Sequence, residues 1–161
     1  MAGIALSTAG VTVSYAVETE VNTRPTAGYA VIHDIKSIPD FNPEPETIEA
    51  TTLENTEYKS YVEALKDPGG ALAFTANFTD ALQEQWEGIV AANNEAAAEN
   101  KRTWFQIKHP KLAKAVFFTG SPAKMGLPSM DVNSIMETTL YITPTNEPDW
   151  FDKVETEAAA G

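Results

Sequence analysis

IKSIPDFNPEPETIEATTLENTEYKSYVEALKDPGGALAFTANF, residues 35–78, is the stretch that decides the fold. At its C-terminal end Leu72, Phe74, Ala76 and Phe78 alternate with Ala73, Thr75 and Asn77. That period of two predicts a strand with one face on a core. Upstream, Pro39, Pro43 and Pro45 each fix their own φ and bias the preceding residue away from helix, so this run is extended and irregular. Over residues 46–52, Ile48, Ala50 and Thr52 share one face, and Thr47, Glu49 and Thr51 share a polar one. Tyr58, Tyr61, Val62 and Leu65 are spaced for one face of a short helical turn over 56–65. A connection as long as 39–67 is usually functional.

Working outward, alternation continues to dominate. Val11, Val13 and Tyr15 alternate with Thr12, Ser14 and Ala16, and Tyr29, Val31, His33 and Ile35 alternate with Ala30, Ile32, Asp34 and Lys36, predicting two early strands. Residues 103–108 and 113–119 bracket His109, Pro110 and Lys111, where the proline removes a donor and favours a turn, so they read as a hairpin. A last strand over 134–143 places Met136, Thr138, Leu140 and Ile142 on one side. Its other side carries Ile135 and Tyr141 and is apolar enough to contact a neighbour. Between these strands, Leu82, Trp86, Ile89 and Val90 form one helical stripe, with Asp80 as the N-cap, Gln83 three residues on, and an end of the stripe near Asn93 and Asn94, after which residues 95–100 either extend the helix or form an exposed loop. Residues 121–131 read as a short polar connection interrupted by proline. The fold class is therefore mainly β, with one helix at 80–93 packed on the sheet.

With 161 residues, 43% of them hydrophobic, the chain supports one core, and the reading is a single domain over 1–147 followed by a flexible tail, 148–161. Trp150 and Phe151 are the exception in that tail, placed either to dock onto a partner or to pack back on their own domain. A formal charge of −12 repels nucleic acid and anionic membrane surfaces, which argues against a conventional DNA-binding face. The absence of cysteine removes disulfides and thiolate metal sites. Residues 1–10 lack the basic region of a signal peptide, and no apolar run approaches the ~18 residues of a membrane span.

A search for chemistry finds little. His33 and His109 are the only histidines and show no metal-ligand spacing, and no glycine pattern forms a phosphate cradle. Carboxylates are plentiful, but no nucleophile–base pair with histidine accompanies them, so neither an enzyme nor a cofactor is expected.

The order of short tokens in 35–78 resembles phage tail tube proteins of the siphophage type. The tokens are Ser37-Ile38-Pro39, Glu44-Pro45-Glu46, Thr51-Thr52-Leu53-Glu54, Tyr58 and Tyr61, Leu65-Lys66-Asp67, and Gly69-Gly70-Ala71-Leu72. The resemblance covers roughly residues 27–143 and implies a tail-tube β-sandwich or barrel with one packed helix. It implies hexameric rings stacked into a tube that conducts DNA from capsid to host without binding it specifically. Tape-measure and tail-terminator proteins would be partners, in a virion tail synthesised in the host cytoplasm.

In such a tube a carboxylate-lined bore repels phosphate. Glu49, with Asp34 as a second candidate, is assigned to the lumen, the alternative being an outer solvent face. The long connection becomes an arm to an adjacent subunit, with Pro39, Pro43, Pro45, Tyr58, Tyr61 and Leu65 as its candidate contacts. Two other readings fit the same residues: the inner tube of a contractile injection or secretion system, and a monomeric acidic β-sandwich binding module.

Overall fold

The computed structural model describes residues 7, 10–42, 47–49, 51–53, 61–63 and 70–157. Its elements in chain order are β1 (Thr12–Val17), β2 (Tyr29–Ile32), β3 (Ile35–Ser37), β4 (Thr47–Glu49), β5 (Tyr61–Glu63), β6 (Leu72–Asn77), α1 (Asp80–Ala98), β7 (Thr103–Lys108), β8 (Lys114–Pro122), β9 (Glu137–Pro144), β10 (Asp149–Asp152) and β11 (Thr156–Glu157). The main sheet runs β11-β2-β1-β7-β8-β9-β6-β3, with β10 beside β8, while β4 and β5 form a separate two-stranded ribbon. Among the described residues all pairings are antiparallel except that of β11 with β2.

Curvature follows from one turn. The alternation over 29–36 predicts a single strand, yet the chain reverses at His33 and Asp34, where Asp34 takes φ 67°. Aspartate tolerates that left-handed region better than most residues because its short polar side chain bonds locally. Its carboxylate accepts a hydrogen bond from Thr79 Oγ1 at 2.8 Å, and its carbonyl accepts one from Asn77 N at 2.9 Å. β2 then pairs with β1, whereas β3 pairs with β6 at the far end of the sheet order. Joining distant strands through this turn curls the sheet into a half-barrel.

The expected core faces are largely present. Leu72, Phe74 and Ala76 of β6 meet Leu140 and Ile142 of β9, together with Val13, Ile32, Phe105 and Phe118, inside the curl. α1 closes this side with Leu82, Trp86 and Ile89, all buried. Deleting such a side chain, as in Trp86→Ala, typically costs ~3–5 kcal/mol. The helix differs from its predicted form at the N-cap, and of the two readings open for residues 95–100 the helical extension is the one formed. Thr79, not Asp80, is the N-cap, accepting from Leu82 N at 3.1 Å. Asn93 does not end it but reaches the sheet, its Oδ1 accepting from Thr103 Oγ1 at 2.9 Å, and the helix runs on through helix-favouring alanines to Ala98.

Three further expectations need correction. Residues 61–63, placed in a helical turn, are β5, because Val62 lies opposite Ile48 in a ladder whose strands satisfy each other's backbone. β8 is longer than predicted: residues 116–119 pair with β7, and residues 120–122 pair with β9. Where a frayed tail is predicted, β10 and β11 dock on the sheet. Phe151 of β10 and Val154 of the segment joining the two strands pack on the sheet's second face, against Ala16, Tyr29, Trp104, Ala115 and Phe117. The Arg24 guanidinium lies 4.3 Å from the Phe151 ring centroid and 4.7 Å from that of Phe117, gripping both rings by cation–π contact.

Candidate assembly surfaces

Asp34 is exposed but occupied. Its strand premise fails because it sits in the turn, outside the alternation of Ala30 and Ile32, and its carboxylate is held by Thr79. Glu49 is exposed at the end of β4, opposite Tyr61 in the ribbon register. Pro39 is half-buried on the chain leaving β3. Pro43, Pro45, Tyr58 and Leu65 lie outside the described residues. Among the described candidates, the β4–β5 ladder sets Glu49 and Tyr61 side by side, while Asp34 and Pro39 lie on the chain around β3. The ribbon is set apart from the main sheet, and just beyond β4 Leu53 is 104% exposed.

A larger apolar surface lies where the sequence suggests a short polar connection. Between β8 and β9, Leu127 is 82%, Val132 88% and Ile135 76% exposed, and Met130 and Tyr141 are exposed beside them. Large apolar side chains concentrated in one loop and the adjoining strand face mark an interaction surface more than isolated ones do. The alternation over β9 explains Tyr141, which points away from buried Leu140 and Ile142.

The base of this loop walls a groove of about 470 Å³ against α1, lined by Phe78, Val90, Ala91, Met125 and Leu127, with Lys124 and Glu87 at its polar margin. Trp86 fixes the loop by donating from Nε1 to the Ala123 carbonyl at 2.8 Å. Lys124 makes no ion pair or hydrogen bond among the described residues.

Among the described residues β10 is paired on one side only, with β8. Phe151 turns inward, whereas Trp150 is 56% exposed between the exposed Asp149 and Asp152, neither of which has a polar partner among the described residues. A short strand bearing two acids suits an edge that must not pair indiscriminately.

The polar interior is structural. Glu18, 2% exposed, accepts from Arg102 Nη2 at 3.0 Å, from the Arg102 backbone N–H at 2.6 Å and from Trp104 Nε1 at 3.2 Å. Burial pushes its carboxyl up, but those bonds outweigh it and leave the pKa below the ordinary value of 4.5. Burial also raises the Tyr29 hydroxyl to about 12, against the opposing charge of Arg24. His109 Nδ1 accepts from Lys111 N at 3.0 Å, binding the β7–β8 turn. No group of three or more His, Asp or Glu among the described residues is placed to hold a metal.

No protein-family model and no curated protein matches the chain. Solved structures do. A chain of the anti-feeding prophage baseplate, solved with 6-fold symmetry, superposes with a TM-score of 0.62 at 12% identity, covering 94% of this chain and 98% of that one. A chain from the structure of the anti-feeding prophage cap, which terminates the tube, gives 0.56 at 12% identity, with 95% of each chain covered. The half-barrel with α1 packed on it is thus a fold shared with components of a phage-tail-like particle.

Proposed function

We propose that this chain is a structural subunit of a phage-tail-like particle, forming hexameric rings that stack into the inner tube of a contractile injection machine. The observation that carries the reading is the nearly end-to-end correspondence, 94% of this chain with 98% of its counterpart, with a component of a 6-fold assembly. Both structural relatives come from a contractile system related to phage tails, which favours an inner tube enclosed by a sheath over a siphophage tube. The siphophage reading keeps the tokens in 35–78 in its favour; it shares the stacked rings and differs in lacking the sheath.

The physical features suit a building block rather than a catalyst. A one-sided edge strand, a ribbon set apart from the sheet and an exposed apolar loop are surfaces that neighbours would cover. A head-to-tail contact closes into a ring, and stacking of rings is open-ended. The charge of −12 serves a bore through which an anionic cargo passes without adhering, with Glu49 lining that bore. Tape-measure and terminator proteins would be its partners along and at the end of the tube.

Negative-stain electron microscopy with sedimentation velocity on concentrated protein tests this. Six-fold rings or hollow tubes are the expected result. A strictly monomeric species at every concentration would overturn the reading in favour of a binding module.

A further inference from the structure

We infer that the contact joining neighbouring subunits seats Trp150 of one copy in the groove between α1 and residues 123–127 of the next. The inference rests on the self-assembly reading and names the two halves of its interface. The first half is a knob: a half-exposed indole on an edge strand, held in place because Phe151 and the β10–β8 ladder fix the backbone on either side. The second is a hole: about 470 Å³ of mainly apolar groove, room enough for a side chain that buries ~150–250 Å². Tryptophan in a well-packed pocket is the residue most enriched among energetic anchors of interfaces.

Charge agrees with shape. Among the described residues, Asp149 and Asp152 flank the knob without polar partners, and Lys124 stands beside the hole without one. Glu87 at the same margin opposes them, so the apolar insertion supplies the affinity and the charges select orientation.

Geometry excludes a contact within one copy. Trp150 lies opposite Val116 near the start of β8, whereas Lys124 follows the end of that strand. The six residue steps of β8 from Val116 to Pro122 alone span roughly 20 Å, and Lys124 lies beyond them. Alternation along β10 turns Phe151 into the cluster on the second face, so Trp150 projects from the other side of the edge, beside Val116. Two complementary patches at different places on one molecule make a heterologous contact, which generates rings or filaments rather than a closed pair.

Sedimentation velocity on wild type, Trp150→Ala and Ala91→Glu, singly and mixed, tests the inference. Both substitutions are at exposed positions, and matching thermal melts confirm folding. Wild type assembles, and each variant alone sediments as a monomer. Their equimolar mixture forms dimers and nothing larger, because the knob of Ala91→Glu meets the intact groove of Trp150→Ala. Assembly of either single variant as in wild type, through Leu53 or any other surface, overturns the inference and leaves the ring reading standing. So does a mixture that stays monomeric. A wild type that never assembles overturns both.

Discussion

The side-chain amide of Gln106 pairs with the backbone of Val154 as a neighbouring strand would: Oε1 accepts from Val154 N at 3.0 Å and Nε2 donates to the Val154 carbonyl at 3.2 Å. Nε2 also donates to Ser14 Oγ at 3.2 Å, so one buried side chain ties β1, β7 and the segment between β10 and β11. Gln106→Leu leaves the Val154 N–H and carbonyl without these partners, while Ser14 Oγ keeps its bond to the backbone carbonyl of residue 106. An expected loss of about 2–3 kcal/mol follows from unsatisfied buried donors and acceptors. Urea denaturation measures it, and trypsin cleavage after Lys153 should quicken because the segment undocks. Unchanged stability and unchanged cleavage would show that the clamp is idle.

The Glu18–Arg102 pair gives a pH dependence of defined sign. A carboxyl whose folded-state pKa is depressed contributes stability that is present above its unfolded value, near 4.5, and lost as the pH falls through the folded one. Arg102 is 37% exposed, so solvent screens the pair and the cost of Glu18→Gln at pH 7 is about 2 kcal/mol, below that of a fully buried pair. Denaturation midpoints from pH 7 downward should converge for wild type and variant once Glu18 is protonated. A gap that stays constant with pH would assign the effect to shape rather than charge.

The half-barrel was legible in the sequence where alternation is strict. Leu72, Phe74 and Ala76 on β6, and Leu140 and Ile142 on β9, carry a period that burial alone explains. The break at His33 and Asp34 was not, because it carries no glycine or proline and sits inside an unbroken alternation. β10 and β11 were hidden for another reason. Their pairing depends on Gln106, Arg24 and Phe117, contacts too distant in sequence for local patterns to report. The groove was invisible for the same cause, since its two walls are far apart in the chain, although Trp150 itself stood out as an aromatic without a stripe.

Thr79 links that unread turn to the helix, capping α1 through Leu82 N while donating to Asp34. Thr79→Ala is expected to cost about 1–2 kcal/mol and Thr79→Ser little, since serine keeps the hydroxyl. Asp34→Ala should lose more than Asp34→Gly by about 1 kcal/mol, because only glycine relaxes at φ 67°. Thermal melts of the four variants decide it. Equal losses at position 34 would mean that the carboxylate, and not the backbone, governs the turn.

Gly120 stands where β8 exchanges β7 for β9 as its ladder partner. A Cβ built there would come within 2.6 Å of Ile142 Cγ2 and 3.3 Å of the Thr143 carbonyl, contacts that the packed interior has no room to relieve. Gly120→Ala is expected to destabilise by about 1–3 kcal/mol, the range for overpacking. Leucine carries no methyl on its β-carbon, so adding Ile142→Leu should recover part of the loss, making the double variant more stable than the sum of the single changes. If the two costs merely add, the obstruction lies with the Thr143 carbonyl, and the crossover is held by the backbone of β9 rather than by its side chains.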